Sequence, residues 1–424
     1  MHKKWLMCKL DEICDIFTGN SINEKEKIEK YTDISDGYNY IGTKDIGFDQ
    51  CIDYENGIKI PTNDLKFKIA PKGSVLLCIE GGSAGRKIGL TDQDVCFGNK
   101  LCAFVSKIDN KYIFYFLQTS DFRNIFSYNK NGLIGGVSVN KLKNIEIPLP
   151  PLAEQGRIVA KIEELFAGID AGVENLKSVK NQIALYRQSV LKSFLSGFAT
   201  DTLANHVDMC LGKMLDKEKN KGTLFPYLRN KNVRWKNFDL DDLLEMRFEE
   251  SEEERYSIQR GDLVVCEGGE PGRCAVWEND NVIKFQKALH RLRPHDNMNV
   301  YFLMYVFMLN IQAKNWDRFF TGSTIKHLTG EALKNLQIPI PTLAEQERIV
   351  AEIESRFERA DALETAVDRA LNDAEKLKQA VLKKAFRGEL VPQNPDDEPA
   401  SVLLDRIRAA RASELPAKKG KRKR

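Results

Sequence analysis

The stretch IPLPPLAEQGRIVAKIE at residues 147–163 returns as IPIPTLAEQERIVAEIE at residues 338–354, 191 positions later, with 13 of 17 residues identical. A phrase kept this closely within a chain of 424 residues marks an internal duplication, and a duplication organises everything around it. After each copy comes a long segment without proline, 152–196 and 343–391. In the first, apolar residues fall at Ile158, Ile162, Leu165, Ile169, Val173, Leu176, Val179, Ile183, Tyr186, Val190 and Phe194. In the second they fall at Ile349, Ile353, Phe357, Ala360, Leu363, Val367, Ala370, Ala374, Leu377, Val381 and Ala385. Both series advance by a mean of about 3.6 residues, the α-helical period. Thr342 with Glu345 fits a capping box at the second start, and Pro151 replaces that threonine in the first. Gly197 and Gly388 read as the stops. Gly168 and Gly172 stand where the second helix has Arg359 and Leu363. Each disfavours a helix interior by about 1 kcal/mol, so close packing against a neighbour is expected there.

A helix of roughly 45 residues rises about 68 Å. One small domain cannot cover so long an apolar stripe, so the two helices are expected to bury their stripes on each other as an antiparallel pair. The order is then domain, helix, domain, helix: a dumbbell of approximate two-fold symmetry. The segments are 1–150, a first domain; 151–197, the first spacer helix; 198–341, a second domain; 342–391, the second spacer helix; and 392–424, a C-terminal segment with a short helix and a basic tail.

The two domains are more distant relatives. YIGTKDIGF (40–48) parallels YLRNKNVRW (227–235), and GSVLLCIEGGSAGR (73–86) parallels GDLVVCEGGEPGR (261–273) with one residue inserted. FGNKL (97–101) matches FQKAL (285–289), and YIFYFL (112–117) matches YFLMYV (301–306). Short β-prone runs at 75–79 and 263–266 suggest a mixed sheet, and 111–126 and 299–318 read as amphipathic helices. Two related domains with different surfaces, spaced by a ruler, imply recognition of one long asymmetric object.

Composition excludes more than it selects. The chain has 42% hydrophobic and 29% charged residues, as ordinary globular proteins do. The longest apolar stretch, residues 301–309, is far short of the roughly 20 needed to span a membrane, and no secretory signal is visible. Nine cysteines without a CxxC pair suggest reduced thiols in a cytoplasm. The net charge of +3 is mild, and six of the last seven residues, KKGKRKR at 418–424, are basic. Charge totals alone therefore make no case for nucleic acid. His2, His206, His290, His295 and His327 have no metal-ligand spacing. The acidic run 249–254 should face solvent or a protein partner, since it would repel phosphate.

The paired P-x-x-x-E-Q-x-R-I-V helix starts, each after a domain of about 150 residues, resemble the specificity subunit of type I restriction-modification systems. The tail GELVPQNPDDEPASVLLDRIRAARA (388–412) is very similar to that family's C-terminal region, and the basic end at 418–424 has no counterpart in its pattern. The resemblance covers essentially the whole chain. It implies an α+β fold: two related mixed α/β target-recognition domains joined by two long antiparallel coiled-coil helices, pseudo-two-fold symmetric. It implies a non-catalytic subunit with no cofactor of its own, in which each domain reads one half of a bipartite double-stranded DNA target. The implied partners are two methyltransferase subunits and two restriction motor subunits, which bind S-adenosylmethionine, ATP and Mg.

Direct readout needs amide, guanidinium and hydroxyl groups on loops that enter a groove. In the first domain Thr43 and Lys44, with Asp45, form a candidate loop tip, and the second domain's matching loop carries Arg229, Asn230, Lys231, Asn232 and Arg234. Either loop could equally be a solvated turn. The glycine loops EGGSAGRK (80–87) and EGGEPGR (267–273) fit neither the Walker nor the dinucleotide pattern. They read either as tight turns or as turns that grip a DNA phosphate through Arg86, Lys87 or Arg273. NKNGLIGG (129–136) and TGSTIKH (321–327) offer Lys130, Ser323, Thr324 and Lys326. Asn99, Lys100, Gln286 and Lys287 are weaker candidates that could simply end a strand. Half-sites about one helical turn apart, ~10 bp, would let both domains reach the groove from one face. Two other classes fit less well. An enzyme would need an NPPY-like or Walker motif, which is absent. A coiled-coil scaffold without sequence-specific DNA recognition leaves the shared framework with divergent loops unexplained.

Overall fold

The computed structural model describes residues 5–414 except 33, 131–134, 217, 219 and 325. The basic tail at 418–424 and residues 131–134 of the loop 129–136 thus lie outside the described residues. The chain divides into two compact units, Met1–Glu174 with Leu371–Arg424, and Asn175–Ala370.

In the first unit one four-stranded sheet runs in the order Cys14–Thr18, Leu101–Ser106, Val75–Cys78, Ile88–Leu90, and a second runs Lys59–Ile60, Tyr38–Ile41, Val95–Phe97, Ile69–Ala70. The first sheet is antiparallel, and the second contains one parallel pair, Tyr38–Ile41 with Val95–Phe97. The second unit repeats both orders: Val207–Leu211, Leu289–Pro294, Leu263–Cys266, Cys274–Val276, then Leu244–Phe248, Thr223–Leu228, Ile283–Phe285, Ser257–Ile258. Its parallel pair, Thr223–Leu228 with Ile283–Phe285, occupies the same place. A small antiparallel pair brackets each domain, Leu6–Lys9 with Glu146–Leu149 and Thr200–Thr202 with Gln337–Pro339. The duplication seen in one phrase of sequence therefore extends through both four-stranded sheets and the bracketing pairs, while, among the described residues, the short hairpin Val233–Arg234 with Asn237–Phe238 belongs to the second unit alone.

The continuous apolar runs at 75–78 and 263–266 follow from burial on both faces. Val75 and Leu77 join the core that faces the helices, whereas Leu76 and Cys78 join the core between the sheets. Leu263 and Val265 divide from Val264 and Cys266 in the same way. The segment 111–126, expected as one helix, is two, Asn110–Phe116 and Ser120–Asn129. Thr119 starts the second, its hydroxyl accepting from the Phe122 amide at 3.1 Å. The segment 299–318 holds the helix Val300–Gln312, which is buried on all sides from Phe302 to Leu309 rather than amphipathic. Lys314, with φ of 57°, breaks the chain out of it.

The two long helices are Leu152–Leu195 and Leu343–Phe386, 44 residues each. The second ends five positions before Val391: Gly388 at φ +74° lets the Glu389 amide return to the Lys384 carbonyl at 2.9 Å. In the second unit they run antiparallel, with Lys180 on Asp368 at 2.8 Å and Arg187 on both Glu364 (2.7 Å) and Asp361. In the first unit Lys378 meets Asp170. Such exposed pairs fix register and contribute at most about 1 kcal/mol each. The apolar stripe supplies most of the stabilisation, through Ile158 and Ile162 with Val381 and Ala385 in one unit, and Ile349, Ile353 and Phe357 in the other. Three expected members of the stripe face solvent instead: Tyr186 at 43% exposure, Leu363 at 50% and Leu377 at 52%. The helix Ala400–Glu414 closes the first unit, with Arg408 on Glu12 at 2.6 Å, Arg411 on Asp15 at 2.7 Å, and Arg157 bidentate to Asp397.

The repeated Glu-Gln has a specific task. Gln155 and Gln346 are fully buried in the first turn of each long helix. Gln155 donates to the Pro150 carbonyl at 2.9 Å and accepts from the Asp109 amide at 3.3 Å. Gln346 donates to the Pro341 carbonyl at 3.0 Å and accepts from the Asn299 amide at 2.8 Å. Asp109 and Asn299 are the N-caps of Asn110–Phe116 and Val300–Gln312. One amide thus locks the long helix to the helix beneath the sheet. Gln155→Ala or Gln346→Ala leaves a buried N–H and a buried carbonyl without partners, and each change should lower stability by about 2–4 kcal/mol in urea unfolding.

Gly168 and Gly172 do not mark close packing. A Cβ at either would meet nothing within 4 Å. With open space and helical backbone, Gly168→Ala and Gly172→Ala should each stabilise the chain by about 0.5–1 kcal/mol. A lowered melting temperature in either variant would refute the open-space account.

Candidate nucleic-acid interface

The turns after Tyr38–Ile41 and Thr223–Leu228 share one construction. In the first, the Asp45 amide donates to the Gly42 carbonyl at 3.2 Å and its carboxylate accepts from the Gly42 amide at 2.7 Å. In the second, the Asn232 amide donates to the Arg229 carbonyl at 2.9 Å and its side-chain oxygen accepts from the Arg229 amide at 2.9 Å. Asp45 is 7% exposed and Asn232 is 1% exposed. Asn232 also donates to the Asp239 and Asp242 carbonyls at 2.9 and 3.2 Å. Asn232 is therefore an internal brace, which corrects its expectation as a base reader. Lys44 and Lys231 are exposed at the tips, whereas Thr43 and Asn230 beside them are half-buried, the Asn230 side-chain amide donating to the Gly268 carbonyl and accepting from Arg273 at 3.2 Å.

The second turn comes with its own counter-charges. Asp242 accepts from Lys231 and from Arg229 (3.2 Å), and Asp239 accepts from Arg234 at 3.3 Å. These two carboxylates were not singled out from sequence, although both lie within the same polar stretch. In the first domain, Lys44 stands at the rim of a recess of about 370 Å³ that Thr43, Asn56, Asn99 and Lys100 also line. Tyr40 lines it too; burial pushes its hydroxyl up to about 12 while it donates to the Asn20 carbonyl at 2.7 Å.

The glycine loops turn back at matching points, Gly85 N–H to the Cys78 carbonyl at 2.8 Å and Gly272 N–H to the Cys266 carbonyl at 2.9 Å. Both glycines have positive φ, +76° and +88°. A Cβ would strike Phe126 at 2.7 Å in one and Ile311 at 2.4 Å in the other, so close passage of a helix demands glycine there. The charged residues of these loops differ in availability. Arg86 is exposed, donates to the Gly82 carbonyl at 2.6 Å and lies 5.3 Å from the ring of Phe48, itself 63% exposed. Arg273 is 9% exposed and holds Glu270 at 2.6 Å and the Asn230 carbonyl at 3.1 Å. Lys87 donates to the Thr43 carbonyl at 3.0 Å. The guanidinium is thus exposed at Arg86 and not at Arg273.

The loop 321–327 joins the second domain's group. The Thr321 and His327 amides exchange hydrogen bonds with each other's carbonyls at 2.9 and 2.8 Å. His327 Nδ1 reaches Glu267 at 3.0 Å, a tie that sequence reasoning missed because the two residues are 60 positions apart in the chain. Ser323 and Thr324 are exposed, and Lys326 lies 3.6 Å from Asp317. Thr324, Lys326, Arg273 and Trp235 line a recess of about 570 Å³. In the first domain Lys130 caps the helix Ser120–Asn129, whose Phe126 abuts Gly85. Of the weaker candidates, Lys100 pairs loosely with Glu80 at 3.8 Å, while Gln286 and Lys287 lie against Lys213.

Burial pushes the thiols of Cys8, Cys14, Cys96 and Cys102 up to about 12 and that of Cys266 up to about 11, far from thiolate formation. Among the described residues no His/Cys/Asp/Glu group could hold a metal ion, and no helix is long and apolar enough to cross a membrane.

Two turns on a shared brace, each beside a glycine loop, are what a pair of divergent readers requires. The family model of the type I restriction modification DNA specificity domain matches residues 2–181 and 208–372. The chain belongs to that family. It is 26% identical to the type I restriction enzyme EcoKI specificity subunit of Escherichia coli K12, across 99% of this chain and 98% of that one. It is 28% identical to the StySPI specificity subunit of Salmonella potsdam, across 84% and 87%. Among solved structures, a chain from work on complex assembly and conformational transition of the type I R-M system matches with a TM-score of 0.72 at 19% identity, covering 92% of this chain and 99% of that one. The HsdS subunit from Thermoanaerobacter tengcongensis matches with a TM-score of 0.54 at 19% identity, covering 92% and 98%. Those two likenesses are of fold. As a type I specificity subunit the protein supplies DNA recognition and not catalysis.

The carboxylate of Asp242 should restrain nonspecific attraction to phosphate. Asp242→Asn is expected to raise affinity for unrelated duplex several-fold and to steepen the salt dependence by about one phosphate contact, a slope change of about 0.9 in log–log form. An unchanged slope would show that Lys231 and Arg229 do not reach DNA.

Proposed function

We propose that this specificity subunit reads an asymmetric bipartite target in double-stranded DNA, one half through each domain. The observation that carries the proposal is the pairing of the same four-stranded sheet orders and the same turn construction with different residues around a shared lysine tip, Gly42, Thr43 and Gly47 in one turn against Arg229, Asn230 and Arg234 in the other. A symmetric target would call for the same residues throughout both turns. Thr43, Lys44 and Arg86 serve the first half-site, with Lys130 on the same domain. Asn230, Lys231, Ser323, Thr324 and Lys326 serve the second, and Arg229 and Arg234 follow where Asp242 and Asp239 release them. Amide and hydroxyl groups read base edges, while the lysines and Arg86 meet phosphates or guanine.

The long helices carry the assembly. Exposed Leu185, Tyr186, Leu363 and Leu377 leave apolar surface on them that suits docking of two methyltransferase subunits, with two restriction motor subunits added to form the complete system. S-adenosylmethionine, ATP and Mg belong to those partners, and the assembly works in the cytoplasm, where its DNA is. The domain boundaries that matter for function are 1–150 and 198–341 for the readers, 151–197 and 342–391 for the spacers, and 392–424 for the closing segment.

The test is co-expression with the cognate methyltransferase subunit and mapping of methylated adenines across a genome by single-molecule sequencing. The expected result is one split, asymmetric motif methylated on both strands, and exchange of 1–150 for another subunit's first domain should replace only one half. A palindromic motif, or none from a soluble active complex, would overturn the reading.

A further inference from the structure

The hydrogen-bond register of the two glycine loops differs from their alignment by sequence. Cys78 N–H donates to the Lys87 carbonyl at 2.9 Å, and Leu77 pairs with Ile88. Cys266 N–H donates to the Arg273 carbonyl at 2.8 Å, and Val265 pairs with Cys274. Lys87, and not Arg86, therefore occupies the place of Arg273. The turns are equivalent by the same criterion, since Ile41 pairs with Phe97 and Leu228 with Phe285, so Thr43 corresponds to Asn230. Across both domains a single contact then recurs. Lys87 Nζ donates to the Thr43 carbonyl at 3.0 Å, and Arg273 Nη2 donates to the Asn230 carbonyl at 3.1 Å.

Neither donor, nor the residue that carries the acceptor, is the same in the two domains, yet the contact is kept. Its acceptor is a main-chain carbonyl, which every sequence supplies. The side chain at that position can change, and with it the base that is read, without loosening the link. Each donor has a second local interaction that helps to hold it in place: Lys87 lies 5.3 Å from the Phe48 ring, and Arg273 reaches Asn230 Oδ1 at 3.2 Å and Glu270 at 2.6 Å.

We propose that Lys87 and Arg273 are the positioning residues of the two readers. Each latches its glycine loop to the recognition turn through the carbonyl of the turn's second residue, and neither binds a DNA phosphate. This rests on the reading that the turns meet DNA. Arg86, the residue inserted before Lys87, is then the phosphate-facing cation of the first domain alone.

The experiment uses the full chain in complex with its methyltransferase subunit and compares Lys87→Met, Lys87→Arg and Arg273→Met with the parent. Binding is measured on duplexes carrying both half-sites or one altered half-site, across a salt series. Lys87→Met should reduce discrimination at the first half-site about tenfold, leave the second unchanged, and keep the salt slope of the parent. Lys87→Arg should restore discrimination, and Arg273→Met should act only on the second half-site. A phosphate contact would instead weaken all sequences alike and lower the slope by about 0.9, which would overturn the proposal. Hydrogen exchange without DNA separates this from failure of the DNA reading. In Lys87→Met the amides of 42–45 and 80–87 should exchange faster together while 229–232 stay as in the parent. Unchanged exchange in both loops overturns the latch whatever the binding shows. A parent complex with no sequence preference overturns the DNA reading, and the exchange result still decides the latch.

Discussion

One buried amide decides how each half of this protein is built. Gln155 and Gln346 have no access to solvent, and each satisfies two main-chain groups that would otherwise be orphaned, a prolyl carbonyl before the long helix and the N-cap amide of the helix under the sheet. A side chain of different length or hydrogen-bonding pattern cannot serve both groups. The surrounding sequence is held in place by the same geometry. The proline fixes the approach of the chain, and Ile158 and Ile349 follow on the buried side of the helix. This is why the phrase is written twice almost unchanged while the domains before it drift apart.

The long helices and the repeat were legible because their physics is periodic and local. A stripe of period 3.6 is readable from one sequence, and the positive-φ stops at Gly197 and Gly388 follow from residue type alone. The misreadings share one cause, that sequence does not reveal what lies opposite a residue. Gly168 and Gly172 looked like packing positions and face open space. Asn232 looked like a base reader because amides read bases, and it is the brace of its own turn. The same chemistry serves both tasks, and only burial separates them. Asp45, at the aligned position, braces the first domain's turn in the same way. Arg86 was matched to Arg273 because an arginine after glycine aligns with an arginine after glycine, whereas the strand register assigns that place to Lys87.

The two readers illustrate different ways of holding basic residues ready. In the second, Lys231, Arg229 and Arg234 rest on Asp242 and Asp239, so their charge is locally balanced. In the first, Lys44 and Arg86 stand exposed beside a recess and an uncovered phenylalanine ring. Balanced charge suppresses attraction to arbitrary phosphate, and on the proposed reading it favours readout by the exposed neutral Ser323 and Thr324. Exposed charge favours early capture of the duplex. A subunit with one reader of each kind would engage DNA through its first domain and discriminate more sharply through its second.

A scaffold of this kind separates what must stay constant from what must vary. The braces at Asp45 and Asn232 act on main-chain amides, and the contacts from Lys87 and Arg273 act on main-chain carbonyls. Sheet order and turn shape therefore depend on groups that substitution at the tips does not remove. Thr43 can face Asn230 across the repeat, and Gly42 can face Arg229, without either turn changing its hydrogen-bond plan. Recognition can diverge because the frame that aims it is made of backbone.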